Sequence, residues 1–354
     1  MNGTASSTAA PGEGAAPQGL SHQAEATTEL VAVDIGGTHA RFALASVGAD
    51  NTIRLAEPIT LKTSDHASLT TAWEEFERRC DSPVPRAAAI AIAGPVTGET
   101  VRMTNNSWVL RTGALDDQLG LDRVSVLNDF AAVAHAVARA PADQLLHIAG
   151  PDRPLPQSGT ISVIGPGTGL GVAHFHRYVT GAGTRFYHVQ ATEGGHIDFA
   201  PVDHIDDVIL QRLRRKHRRV SAERVVAGPG IIEIHAALAA MEKRGAEELC
   251  DKTIWERGLA RQDSLAAAAV DRFCQSLGSV AGDYALAHGS SAVVIAGGLG
   301  YRLRDILGGS GFAERFRFKG RYEQLMAGLP VKLIVHPQPG LYGAVAAFQV
   351  EHLS

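Results

Sequence analysis

Asn128-Asp129 stands where an apolar stretch, Val124 to Leu127, gives way to an alanine-rich run that begins near Phe130. In α/β folds the junction between a strand and a helix is where site residues collect. A carboxylate there could be the general base that accepts a hydroxyl proton during phosphoryl transfer. The same dipeptide could equally be a helix N-cap, a position that favours Asn and Asp. A second group, Glu193-Gly194-Gly195-His196, places a carboxylate and an imidazole around a backbone free to turn sharply. Sugar hydroxyls both donate and accept, so a sugar pocket needs carboxylates, amides and imidazoles around the ring. A plain turn with a surface glutamate is the alternative. Glu223, two residues after Ser221, reads by itself as a first-turn glutamate that complements a helix dipole. His174 and His176 alternate on a strand but have no third ligand in sequence, which argues against zinc.

Two glycine turns offer places for phosphates. Val33-Asp34-Ile35-Gly36-Gly37-Thr38 runs into Arg41-Phe42-Ala43-Leu44, and Val163-Ile164-Gly165-Pro166-Gly167-Thr168-Gly169 runs into Gly171-Val172-Ala173. Each reads as strand, tight turn, strand. Without Cβ atoms, the outward N–H groups of such turns are open to a phosphate. No Gly-Lys dipeptide exists in the chain, so it has no P-loop. The run G-P-G-T-G-L-G over residues 165–171 does not fit the dinucleotide pattern G-x-G-x-x-G. Two turns in separate halves suggest two jaws around one polyphosphate.

The elements that must position these groups fit a chain of 354 residues, long enough for two domains with good cores. Strands are predicted at 30–35, 40–46 and 52–61, then a helix over 66–80 and a strand from Ala87 to Ala93. A Pro/Gly-rich passage at 141–158 leads to a second half with strands near 160–164, 170–176 and 184–190. A long helical pattern covers 264–288, strands follow at 292–295 and 331–335, and a last helix spans 340–350. The β-β-β-α-β-α order of the first half resembles one lobe of the sugar kinase and actin superfamily, which implies an α/β, two-lobed actin/hexokinase-like fold with a mixed sheet flanked by helices in each lobe. Residues 1–28 read as a disordered extension, 29–140 as a small lobe, 141–337 as a large lobe, and 338–354 as a helix returning to the small one.

Composition narrows the partners. Hydrophobic content of 45% with 20% charged residues is ordinary for a soluble globular protein, and a net charge of −4 gives no reason to expect nucleic acid or anionic membrane. The basic cluster Arg212 to Arg219 reads as a solvated face. Three cysteines far apart point to reduced thiols and a cytoplasmic location. The first 28 residues have neither a basic start nor an apolar core, so they read as neither signal peptide nor membrane span.

Taken together, several blocks resemble the bacterial glucokinase family: 34–41, 94–98, 103–108, 127–130, 167–174, 193–201, 220–230, 295–298 and 333–343. They occur in family order and cover nearly everything beyond residue 28. The resemblance implies ATP-dependent phosphorylation of glucose, with Asp129 as base and Asn128 on neighbouring hydroxyls. It implies sugar contacts from Glu193, His196 and Glu223, and places Asn105 near the pocket. Gly36, Gly37 and Thr38, carried by Val33, Asp34 and Ile35, would meet Gly167, Thr168 and Gly169 around the ATP phosphates. Gly297 and Gly298 would let the adenosine lie against the backbone, and Asp34 would organise Mg2+ through water. A homodimer is the assembly implied. His39, where the family usually has Asn, and Pro166 in the second turn are departures.

Overall fold

The computed structural model describes residues 27–353 except 97, 104, 105, 107, 246 and 247. Nearly all of the expected N-terminal extension, and Asn105, therefore lie outside the described residues. Strand β1 (Thr28–Ile35) and β2 (His39–Val47) form an antiparallel hairpin around the first glycine turn. The single strand expected over 52–61 is two, β3 (Ile53–Leu55) and β4 (Ile59–Lys62), both paired with β2. The interruption ends at Pro58, which has no N–H to give a ladder. Helix α1 (Leu69–Arg79) starts with a capping box between Ser68 and Thr71 and lays Trp73 and Phe76 against Phe42.

Strand β5 (Ala87–Ile92) is buried at every position and runs parallel to β1, as a strand covered on both faces must be apolar throughout. A short hairpin, β6 (Thr100–Arg102) and β7 (Val109–Arg111), and helix α2 (Leu115–Leu119) lead to β8 (Arg123–Asn128), parallel to β5. The first sheet is ordered β3-β2-β1-β5-β8. Helix α3 (Asp129–Arg139) leaves its edge directly.

Strand β9 (Leu145–Ala149) lies in the stretch that reads as a simple passage. Among the described residues its ladder is with a strand nearly 200 residues on, which no local pattern reports. The second glycine turn joins β10 (Gly159–Pro166) to β11 (Leu170–Val179), and β12 (Arg185–Thr192) completes the meander. Helices α4 (His204–Arg214), α5 (Ala222–Val225), α6 (Gly230–Met241), α7 (Asp251–Leu259) and α8 (Ser264–Ala287) follow. Strand β13 (Ser290–Ile295), helices α9 (Gly297–Arg302), α10 (Phe312–Arg317) and α11 (Glu323–Ala327), strand β14 (Val331–Ile334) and helix α12 (Pro339–His352) close the chain. The sheet is ordered β12-β11-β10-β13-β14-β9, so without β9 it repeats the strand order of the first.

The two halves exchange helices. Helix α3 leaves the first sheet but buries Ala134, Val137 and Ala138 with Ile161, Val163 and Phe175 of the second. Helix α12 leaves the second and buries Leu341, Ala344, Val345 and Phe348 with Leu30, Ala32 and Ala89 of the first. They cross at Gly343, where a Cβ would lie 1.7 Å from the Ala132 carbonyl oxygen, so no larger residue fits without moving a helix.

Candidate active site

Strand β8 delivers Asn128 to the N-cap of α3, where its Oδ1 accepts from the N–H groups of Phe130 (2.9 Å) and Ala131 (3.0 Å). Its Nδ2 donates to the Gly94 carbonyl (3.0 Å) and to Asp129 Oδ1 (3.1 Å). Capping therefore falls to Asn128 and engages its whole amide. Asp129 Oδ1 also accepts from Phe130 N (2.8 Å), while Oδ2 has no hydrogen-bond partner among the described residues. Burial, then the charges of Asp34 and Glu193, push the Asp129 carboxyl up to about 6. A carboxylate of that basicity is ionised at neutral pH yet accepts a proton more readily than an exposed one. Asp34 is raised as well, by burial, against the pull of Arg41, whose Nη1 lies 3.5 Å from its Oδ2.

The first turn is closed by Gly36 N donating to the His39 carbonyl (2.9 Å), and the second by Gly167 N donating to that of Gly169 (2.8 Å). The N–H groups of Gly37, Thr38, Thr168 and Gly169 have no partner among the described residues, so each turn keeps donors for an anion. Thr63 braces the first turn from behind, donating from its hydroxyl to the Gly37 carbonyl (3.0 Å). Val33 and Ile35 are fully buried core residues; they carry Asp34 but aim no side chain at a ligand.

The third group forms around residues 193–196, a 3₁₀ turn. His196 sits between two carboxylates, with Nε2 4.0 Å from Glu193 Oε2 and Nδ1 3.9 Å from Glu223 Oε1. Glu223 reaches the site from the first turn of α5, and its Oε2 accepts from Leu170 N (3.0 Å) beside the second glycine turn. Thr192 Oγ1 accepts from Gly194 N (3.1 Å), and the Tyr284 hydroxyl on α8 donates to the Gly194 carbonyl. Tyr284 gave no sign of itself in a helix-long apolar pattern.

A cavity of about 660 Å³ opens on the far side of the second turn. Gly167, Thr168 and Gly298 line it, together with Gly228, Pro229 and residues of α7 including Lys252, Trp255 and Glu256. Gly228 ties this wall together, donating to the Gly167 carbonyl (2.8 Å) and accepting from Trp255 Nε1 (3.0 Å). Gly297 adopts φ +77°, and its Cβ position would lie 2.6 Å from the Pro166 carbonyl oxygen, so the start of α9 lies directly against the turn. Sequence reading placed the glycines but missed Gly228 and the α7 residues, because only the tertiary fold brings that helix to the turn. His174 packs its ring 4.5 Å from that of His288, and no group of three His, Cys, Asp or Glu side chains placed to hold a metal is found among the described residues.

The chain is similar to known proteins over most of its length. A family model described as Glucokinase matches residues 30–351. The glucokinase of Zymomonas mobilis is 54% identical over 320 residues, spanning 90% of this chain and 97% of that protein. The glucokinase of Caulobacter vibrioides is 40% identical over 326 residues, 90% and 94% of the two chains. Among solved structures, a glucokinase from an Antarctic psychrotroph superimposes with a TM-score of 0.79 at 33% identity, covering 91% of this chain and 99% of that one.

Proposed function

This chain belongs to the glucokinase family and phosphorylates glucose with ATP, and from that premise we propose how its own residues divide the work. Glucose lies in the cleft between lobes 29–140 and 141–337, held by Glu193, His196 and Glu223. Asp129 takes the proton of the 6-hydroxyl as that oxygen attacks the γ-phosphate in line, and ADP leaves. The observation that carries this reading is Asp129 itself, a half-buried carboxyl pushed up to about 6 beside two other acids, with Oδ2 left open. Asn128 acts through it, fixing the carboxylate from the N-cap, and reaches a sugar hydroxyl only by giving up one of its present bonds.

The spare N–H groups of Gly37, Thr38, Thr168 and Gly169 receive the phosphates, and the adenosine enters the cavity beside Gly298. Mg2+ fits a site with one partly exposed carboxylate, Asp34, because that ion keeps most of its waters and shares its remaining positions with phosphates. When bound it would neutralise charge on the β- and γ-phosphates. We infer a cytoplasmic enzyme, which three free cysteines support, and a homodimer. Stacked Tyr178 and Phe186 exposed near the tip of the β11–β12 hairpin support self-association. ADP release with ATP and Mg2+, measured without sugar and with glucose, mannose, fructose or glucosamine, tests the reading. Turnover that needs glucose is expected; turnover without sugar, or with another sugar alone, overturns the pocket assignment.

A further inference from the structure

Phe130 follows the base directly and has no part in the chemistry above. Its ring lies across the strands of the second glycine turn. A Cβ on Gly165 would come 2.4 Å from Phe130 Cε2, and one on Gly171 would come 2.2 Å from Cδ2. Gly165 and Gly171 face each other in the β10–β11 ladder, so together they clear a flat floor for one aromatic ring. The outer glycines of G-P-G-T-G-L-G thus serve packing, and the inner ones are left for phosphate. At its other end Phe130 donates its N–H to both Asn128 Oδ1 and Asp129 Oδ1. One residue therefore touches the base through its backbone and the opposite lobe's phosphate turn through its side chain.

We propose that Phe130 is a positioning residue that sets the spacing between the Asp129 carboxylate and the turn at Gly167–Gly169. The inference rests on the reading of Asp129 as base and of that turn as the phosphate holder. A ring resting on two backbone strands is stopped from below by atoms that do not yield. A smaller side chain lets the first turn of α3 sink towards the sheet, and a methyl on the floor lifts it. Both errors displace the base from an in-line geometry in which a misplacement of about 1 Å costs roughly 10²-fold.

The test is steady-state kinetics and thermal unfolding of the full chain carrying Phe130→Leu, Phe130→Ala, Gly171→Ala and the double variant Phe130→Leu/Gly171→Ala. Phe130→Ala and Gly171→Ala are each expected to lower kcat by about tenfold or more, with the KM for glucose within about twofold. Phe130→Leu falls between them and wild type, and it is the variant to read where Phe130→Ala does not fold. The double variant is expected to recover part of the kcat lost by Gly171→Ala, because the smaller side chain makes room for the methyl; a merely structural role would lower the melting temperature without that recovery. Unchanged kcat in Phe130→Leu and Gly171→Ala, or losses confined to KM, overturns the proposal. Asp129→Asn, run alongside, separates the two failures: if it abolishes turnover while the Phe130 and Gly171 variants do not, only the positioning role falls, and if it retains turnover the base assignment falls with it.

Discussion

The two lobes share a strand order and a glycine turn, yet the helix that arrives at each turn from the other side brings opposite cargo. Helix α3 presses an aromatic ring onto the Gly165/Gly171 pair of the second turn. Helix α12 brings Gly340 to the first, where an added Cβ would sit 2.9 Å from Asp34 Oδ2. One side has a bare turn and a bulky visitor, the other a charged turn and a visitor stripped of its side chain. The ladders behave the same way. Asp34 pairs with Arg41 near the first turn, whereas Ile164 pairs with Val172, both apolar, near the second. A repeated frame thus carries an acid at one turn and none at the other, and in the proposed mechanism Asp129, carried out of the first sheet, faces phosphates shared by both turns.

The largest test of this asymmetry is Asp129→Ala, expected to lower turnover by roughly 10²–10⁴ while ATP binding measured by calorimetry survives. Near-normal turnover would return the dipeptide to a capping role. The same residue has a signature in pH. Its folded-state pKa of about 6 lies above the ordinary 3.8, so the folded protein binds this proton more tightly than the unfolded chain does. Ionised Asp129 then penalises the fold by on the order of 3 kcal/mol above pH 6, and the penalty disappears as pH falls towards 4. kcat/KM should fall as pH drops below about 6, when the base is protonated. Asp129→Asn should lose activity yet melt roughly 3–5 °C higher than wild type at pH 8, with the gain shrinking by pH 5. An equal or lower melting temperature at pH 8 would mean the carboxylate is not strained.

Gly340→Ala comes next. It pushes the Asp34 carboxylate aside without altering its charge, and about a tenfold increase in the Mg2+ needed for half-maximal rate is expected. An unchanged Mg2+ titration would remove Asp34 from the ion. The smallest effect belongs to Tyr284→Phe, which takes one hydroxyl from the Gly194 carbonyl and leaves the packing. Glucose KM should rise by about two- to fivefold with kcat and ATP KM unmoved, a loss matching one hydrogen bond of ~0.5–1 kcal/mol. A shift in ATP KM alone would show that the clamp serves the wrong lobe.

Much of this was legible in the chain because it is local. The two turns, the strand end at Asn128 and the long α8 each announce themselves within a dozen residues. What stayed hidden depends on contacts between distant segments. Glu223 by itself reads as a dipole-complementing glutamate, and only the family resemblance gave it a site role; its bond from Leu170 N depends on the fold, as does the pairing of β9, which reads as a linker, with β14. Phe130 passed as the first apolar residue of a helix, since nothing near it in sequence says that two glycines, Gly165 and Gly171, about 35 and 41 residues on, form its floor. The exchange of α3 and α12 is invisible for the same reason: an apolar helix face does not name the sheet it covers.

That exchange has a consequence for how the protein comes into being. The first sheet is fully synthesised once Asn128 has left the ribosome, but the helix that covers one of its faces begins only at Pro339. Until then Leu30, Ala32 and Ala89 lack the cover of α12, and the emerging chain carries that apolar face open through more than half of translation. The first half is the last to be finished, and a polypeptide stopped short of α12 should be a client for chaperones rather than a working half.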